Sequence, residues 1–241
     1  MENLNTSDLY VHAHIAPGWT GQSPSTNEYT LGAGFSKLRL QRVPDAEPQA
    51  CLAFDFAIDR DFTHCSQAKI KIAVLWEPRE INLQSIEKVA ELLPEIDLVL
   101  THDAQVLAEY PSKAQPFWTG GSQLEVIERL ITSPKHRKVS ISASKKKVMV
   151  GHKLRHEIIS RYGRKLVIMG NGYRGYSLAS TPYKRFQFSV VVENTRSEIF
   201  FTEKLIHCLL FRCIPVYWGP SKLPPEIDET GIIRFESADE L

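Results

Sequence analysis

The sequence has no run of about 18 consecutive apolar residues, so no membrane-spanning helix is expected. Its first ten residues, Met1 to Tyr10, lack a charged start followed by an apolar stretch, which argues against a secretory signal peptide. Cysteine is scarce. Cys51, Cys65, Cys208 and Cys213 are spaced as neither a zinc site nor a CxxC redox motif, and the expectation is four buried, reduced thiols in a cytoplasmic protein. No GxGxxG or P-loop pattern occurs, which disfavours dehydrogenases and ATPases. His102-Asp103 is the sole adjacent pair resembling an Asp-containing metal motif and no wider metal constellation stands out, so neither a bound metal nor another cofactor is expected.

What is present is an ordinary globular composition: 241 residues, 43% hydrophobic and 24% charged, enough for one large domain or two small ones. The net charge is only +1, but it is unevenly distributed. Between Ser133 and Arg185 there are 14 Lys and Arg against one acid, Glu157, while the rest of the chain carries 15 basic and 27 acidic residues. A local positive field of this kind attracts an anion. Nucleic acid, a phosphorylated lipid surface, a nucleotide diphosphate and a merely solvated basic face are all compatible with it. Within this basic block the aromatic residues suited to base stacking are only Tyr162, Tyr173, Tyr176 and Tyr183, which disfavours nucleic acid.

The first 45 residues are punctuated by Pro17-Gly18, Gly21, Pro24, Gly32 and Gly34 and read as loops or short strands. The stretch from Cys51 to Ile58 alternates as a strand does. Ile70 to Trp76 is a short, nearly continuous apolar run, the pattern of a strand covered on both faces. A helix over Ile81 to Leu93 with Ile86, Val89, Ala90 and Leu93 on one face, then a strand over Ile96 to Thr101, complete a strand–helix–strand alternation. A short helix over Leu124 to Ile131 leads to Ser133-Pro134-Lys135-His136, the expected domain boundary. The second half repeats the alternation: strand Lys138 to Ser142, helix His152 to Tyr162, strand Leu166 to Met169, strand Phe188 to Val192, helix Thr202 to Phe211 with Thr202 as its N-cap, and strand Ile214 to Trp218. The expectation is an α/β fold in two parts, an N-terminal domain over 1–132 and a C-terminal domain over 133–241. Ligands would bind beyond the carboxyl ends of the strands.

Several charged residues sit at those strand ends or at the starts of helices. Lys204 lies in the first turn of an expected helix, where a cation opposes the helix dipole unless an anion is near. Arg155, in the run Gly151-His152-Lys153-Leu154-Arg155-His156, can grip phosphate oxygens with two parallel hydrogen bonds. Each could equally be a solvated surface residue. Glu77 follows a buried strand beside Trp76. It is either a general base or an acid capping a neighbouring helix. Cationic side chains such as Arg155 and Lys204 would serve a metal-free mechanism by stabilising a diphosphate leaving group.

The segments Phe188-Ser189-Val190-Val191-Val192-Glu193-Asn194-Thr195-Arg196-Ser197, Phe201-Thr202-Glu203-Lys204-Leu205-Ile206 and Ile214-Pro215-Val216-Tyr217-Trp218-Gly219-Pro220 together resemble the donor-binding signature of family-10 glycosyltransferases, the α1,3/4-fucosyltransferases. Gly151-His152-Lys153-Leu154-Arg155 is similar to that family's donor-side arginine helix, and Trp76-Glu77-Pro78 and Ile96 to Asp103 resemble its acceptor-domain motifs. The resemblance implies a GT-B-like fold, two Rossmann-like α/β domains facing across a cleft, with the N-terminal domain on the acceptor side and the C-terminal domain binding the sugar nucleotide. It implies an inverting, metal-independent transfer of fucose from GDP-fucose to a glycan hydroxyl. Glu77 would be the base, Arg155 and Lys204 would hold the diphosphate, and Glu193, Asn194 and Glu203 would contact the donor's sugar, ribose or base. The partners implied are a nucleotide-sugar donor and a glycan acceptor, with no nucleic acid. A same-fold enzyme with another donor, or a non-catalytic nucleotide- or glycan-binding relative, are the alternatives. The chain departs from the family pattern at Ser144-Lys145, where Ser-Asn is common, and at Phe200-Phe201, where an aromatic hydroxyl is usual. Family members usually continue with a further helix past the position of Leu241.

Overall fold

The computed structural model describes residues 11–13, 28–30, 39–41, 50–120 and 133–241. The expected helix over Leu124 to Ile131 lies outside them, as does most of the first 45 residues. The chain separates into two compact units, Met1–Trp118 and Thr119–Leu241. The linker expected at Ser133 stands 14 residues beyond that division.

In the first unit, β1 (Val11–Ala13), β4 (Ala50–Phe54), β5 (Ile70–Leu75), β6 (Leu98–Thr101) and β7 (Ala114–Pro116) form a wholly parallel sheet in the order β1-β4-β5-β6-β7. A two-stranded antiparallel ribbon, β2 (Glu28–Thr30) with β3 (Arg39–Gln41), accompanies it. Side chains alternate across the central strands. Cys51, Ala53, Ala73, Leu75 and Val99 share one core with Ile58 and Phe62 of α1 (Ile58–His64) and with Ile86 and Val89 of α2 (Arg79–Leu92). Ala50, Leu52, Ile72, Val74 and Leu100 pack on the other face with Phe117. Burial on both faces is why these strands read as continuous apolar runs.

Two expectations change here. The strand beginning near Cys51 ends at Phe54, because Asp55 adopts a left-handed φ of 41° and the chain turns through a 3-10 step into α1, so Ile58 starts a helix. Ala90 is exposed, and the inward face of α2 is Asn82, Ser85, Ile86 and Val89. On this face Asn82 has non-helical angles (φ −124°, ψ 17°) and spends its side chain on the neighbouring turn.

In the second unit, β8 (His136–Ser142), β9 (Leu166–Met169), β10 (Phe186–Val192), β11 (Ile214–Trp218) and β12 (Ile233–Arg234) form another all-parallel sheet, ordered β12-β11-β10-β8-β9. Helix α3 (Ala104–Glu109) belongs to the first unit; α4 (Val150–Tyr162) and α5 (Glu203–Leu210) are the connections of the second. Ile158 of α4 packs with Ile141, Val190, Val192 and Trp218. After β9 the chain turns at Gly170, whose φ of +117° and 2.1 Å clearance from the Ala143 carbonyl to an added Cβ admit no side chain. All four cysteines are free and buried.

Strand order reverses once in this second sheet. From β8 the chain moves outward through α4 to β9, then returns to the opposite side of β8 as β10 and continues through α5 to β11. The switch point therefore lies between β8 and β10, where open α/β sheets bind ligands beyond the strand ends.

Candidate functional site

The second unit's site grows from the end of β10. Val192 is its last residue, and Glu193-Asn194 leave the sheet at the switch point. The first turn of α4 presses directly on this exit. The Gly151 N–H donates to the Asn194 carbonyl at 2.9 Å, and a Cβ on Gly151 would stand 1.7 Å from the Glu193 carbonyl oxygen. Only glycine allows that approach.

One turn further, Arg155 runs beneath the strand end. Its Nε and Nη2 donate to the Val192 carbonyl at 3.2 and 2.7 Å, and Nη2 also donates to Asn194 Oδ1 at 2.8 Å. Arg155 is 5% exposed, yet among the described residues no carboxylate lies within 4 Å of its guanidinium. Burial pulls its pKa below the usual arginine value, with Glu193 the largest charge acting the other way. An arginine stays charged in proteins, so this is a buried cation held by neutral acceptors.

Lys204 stands at the start of α5. Thr202 is the N-cap: its Oγ1 accepts from the Lys204 N–H at 3.4 Å and from Lys204 Nζ at 2.9 Å. The ammonium lies 3.7 Å from Glu193 Oε2 and 3.6 Å from Glu203 Oε1. Glu193 itself is 0% exposed. Its carboxylate accepts the Thr202 N–H at 3.0 Å, the Thr202 hydroxyl at 2.7 Å and the Tyr217 hydroxyl at 3.3 Å. Burial raises the Tyr217 hydroxyl pKa well above normal, and the Glu193 charge adds to it, so the phenol stays a donor. Glu203 is exposed; partial desolvation pushes its pKa up, but the Lys204 charge and nearby donors outweigh this and hold it below the usual range. Asn194 is half-buried.

His152 completes this set. It sits at the third position of α4, where its Nδ1 accepts the Met149 N–H at 3.3 Å. The ring proton is therefore on Nε2. Burial, followed by the charges of Arg155, Lys146, Lys204 and His156, lowers its pKa to about 4. Phe200 and Phe201, where the family resemblance implies a hydroxyl, are both buried rings.

The structure thus brings Arg155, Lys204, Glu193, Asn194 and Glu203 together around the starts of α4 and α5. Tyr217, His152 and Gly151 stand within the segments that carry the family resemblance, but no site role is expected of them individually. A glycine just inside a helix start, directly ahead of a histidine–cation run, was the available signal for Gly151.

In the first unit, Glu77 is half-buried in the turn after β5. Asp55 Oδ1 accepts from the Trp76 N–H at 2.8 Å, the Glu77 N–H at 3.3 Å and the Asn82 amide at 2.6 Å, and Asn82 also donates to the Glu77 carbonyl at 3.4 Å. Burial raises the Asp55 pKa against these hydrogen bonds. His102 Nε2 pairs with the Trp76 carbonyl at 3.2 Å, and burial lowers its pKa, keeping the ring neutral. Arg79 forks onto Asp103 through two 2.7 Å bonds, and Asp103 caps α3 by accepting the Val106 N–H at 2.9 Å. These contacts hold the Glu77 turn in one conformation.

Among the described residues no cluster of His, Cys, Asp and Glu is arranged to hold a metal ion, and no helix is long and apolar enough to cross a membrane.

No protein-family model matches the chain, and no curated protein does. Among solved structures it is similar to the crystal structure of an α1,3-fucosyltransferase, with 14% identity and a TM-score of 0.50 over 83% of this chain and 66% of that one. Crystal structures of α1,3-fucosyltransferase with GDP and with GDP-fucose are similar at 14% identity over 83% of this chain and 65% of theirs, with TM-scores of 0.49 and 0.46. The chain spans slightly less than two thirds of the length of these structures. What it shares with the first of these is the fold: mixed α/β with parallel sheets, of the GT-B-like type.

Proposed function

We propose that this chain is a glycosyltransferase that takes its sugar from a nucleotide diphosphate, with GDP-fucose as donor and a glycan hydroxyl as acceptor. The observation that carries the reading is Arg155, a buried cation without a carboxylate partner among the described residues, placed with Lys204 where two helix starts meet at the switch point of a parallel sheet. A buried cation of this kind is costly until an anion arrives, and two helix N-termini favour the same anion. A diphosphate matches two cationic groups better than a single carboxylate does. The fold shared with α1,3-fucosyltransferase structures supports the choice of fucose and guanosine.

In the proposed reaction the acceptor oxygen attacks the anomeric carbon of the sugar. The bond from that carbon to the β-phosphate oxygen breaks, and its electron pair leaves with GDP. Attack from the face opposite the leaving group inverts the anomeric centre. Arg155 and Lys204 stabilise the charge growing on the departing phosphate, the role a metal ion plays in other transferases. Glu77 removes the acceptor proton, its turn held by Asp55 and Asn82. Asn194 and Glu203 contact the donor. Glu193 acts from the interior by fixing Thr202 and Lys204.

The test is incubation with GDP-fucose and a mixed pool of oligosaccharides in EDTA, with mass spectrometry of the products. The reading expects an acceptor gaining one deoxyhexose, loss of that product in Glu77→Gln, and retained GDP-fucose binding in that variant. Turnover with UDP-sugars but not GDP-fucose would overturn the donor. Binding without any transfer would overturn the enzyme in favour of a nucleotide-binding relative.

A further inference from the structure

We propose that Tyr176 is the platform for the base, its ring packing against the purine of the nucleotide whose diphosphate Arg155 and Lys204 hold. The inference rests on reading that site as a nucleotide-diphosphate site, and it adds the residue that recognises the nucleoside.

The basic block holds four tyrosines, and the fold itself occupies three of them. Tyr162 packs against the core that contains Ile141, Ile158 and Val190. Tyr183 is buried, with its ring edge-on to His207 at 6.3 Å between centroids. Tyr173 is half-buried and carries the Lys145 ammonium 3.8 Å from its ring centroid. Tyr176 is different: it is 39% exposed. An aromatic ring kept in solvent offers the flat, polarisable face on which a base stacks.

Its anchor places it beside the phosphate site. The Tyr176 hydroxyl lies 2.8 Å from Ser142 Oγ. Ser142 is the last residue of β8 and is in register with Met169, the last residue of β9. On its other side, β8 pairs with β10, Ile141 in register with Val190, two residues before the Val192 carbonyl that Arg155 grips. Ser142 and Val192 therefore stand one strand spacing apart, about 4.8 Å, and are offset by one residue, about 3.3 Å, along the strands. The tyrosine is tied to one side of the switch point and the arginine to the other, where ligands of such sheets bind. Burial lowers the Arg155 pKa, and the Tyr176 hydroxyl is among the groups acting the other way, as the short path through Ser142 and Val192 requires. The chain leading to Tyr176 is closed into a turn: the Gly170 N–H donates to the Arg174 carbonyl at 2.9 Å and the Tyr173 N–H to the Gly170 carbonyl at 3.0 Å. The ring thus leaves a defined turn and is tethered at its far end by Ser142.

The chemistry selects the base among the parts of the ligand. Phosphates call for cations and N–H donors, which the starts of α4 and α5 supply. A sugar presents hydroxyls, which call for polar partners. A purine presents two broad π-faces, and its fused rings cover more of a tyrosine than a pyrimidine does.

The experiment is calorimetric titration of wild type, Tyr176→Ala, Tyr176→Phe and Lys204→Ala with GDP, with GDP-fucose, and with inorganic pyrophosphate as the probe that lacks a nucleoside. The proposal expects Tyr176→Ala to weaken GDP and GDP-fucose alike by roughly tenfold, within the range of one base–aromatic stack, and to leave pyrophosphate binding unchanged. Tyr176→Phe, which keeps the ring, should bind GDP more tightly than Tyr176→Ala, and Lys204→Ala should weaken all three ligands. Wild-type GDP affinity in Tyr176→Ala, an equal loss for pyrophosphate, a loss confined to GDP-fucose, or a Tyr176→Phe variant as weak as Tyr176→Ala would each overturn the platform while leaving the diphosphate reading in place. Failure of wild type to bind GDP overturns the diphosphate reading itself.

Discussion

Glu193 and Thr202 are joined twice. The buried carboxylate accepts the threonine's backbone N–H through one oxygen and its hydroxyl through the other. The same hydroxyl accepts Lys204 Nζ, so the acid at the end of β10 sets where the lysine at the start of α5 stands.

Replacing Glu193 by alanine therefore leaves a buried N–H and a buried tyrosine hydroxyl without their acceptor and takes one of two neighbouring carboxylates from Lys204. The expected loss is about 3–5 kcal/mol of unfolding free energy, read by urea denaturation. Glu193→Gln keeps the shape and part of the hydrogen bonding, so it should retain the fold while weakening nucleotide binding through a displaced Lys204. Full nucleotide affinity in Glu193→Gln would show that the lysine is positioned by something else.

Gly151→Ala places a methyl group against the Glu193 carbonyl, where backbone rather than a pliable side chain must yield. A loss of at least about 2 kcal/mol is expected, with nucleotide affinity falling alongside it. Gly175→Ala is the control, since nothing lies within 4 Å of its added Cβ, and its effect should stay within about 0.5 kcal/mol. Equal thermal shifts in the two variants would rule out the close approach.

Asp103 reports on the turn that carries Glu77. Burial pushes its pKa up, but the Arg79 fork and the Val106 N–H outweigh burial and leave it below the ordinary value of 3.8. A depressed acid stabilises the fold above its unfolded pKa of about 3.9, and that contribution is lost as pH falls through the lower folded value. Asp103→Asn should cost about 1–3 kcal/mol at pH 7, and the gap from wild type should narrow in urea titrations taken toward pH 3. A gap independent of pH would mean the carboxylate charge contributes nothing.

Much of the frame was legible in the sequence because strands of parallel sheets covered by helices leave short, nearly continuous apolar runs. Ile70 to Leu75, Leu166 to Met169 and Ile214 to Trp218 are such runs, and each appears as a strand. Helices α1 and α3, seven and six residues long, are too short to show a helical period. Asn82, a polar residue on the buried face of α2, is held by a side-chain contact to Asp55, 27 residues away, which no local pattern encodes. The candidate site divides in the same way. Lys204 at a helix start and Arg155 in a basic run carry local signals. A buried carboxylate and one facing a ligand look alike in sequence: Glu193 meets Thr202 and Tyr217 across nine and 24 residues.

The most direct test of the central claim is calorimetric titration of wild type and Lys204→Ala with GDP and with UDP, in EDTA. The account predicts that GDP binds wild type without metal, that UDP binds at least about tenfold more weakly, and that Lys204→Ala loses about 1.4 kcal/mol or more of GDP binding. Lys204→Ala binding GDP as tightly as wild type, or no nucleotide binding at all, would contradict it.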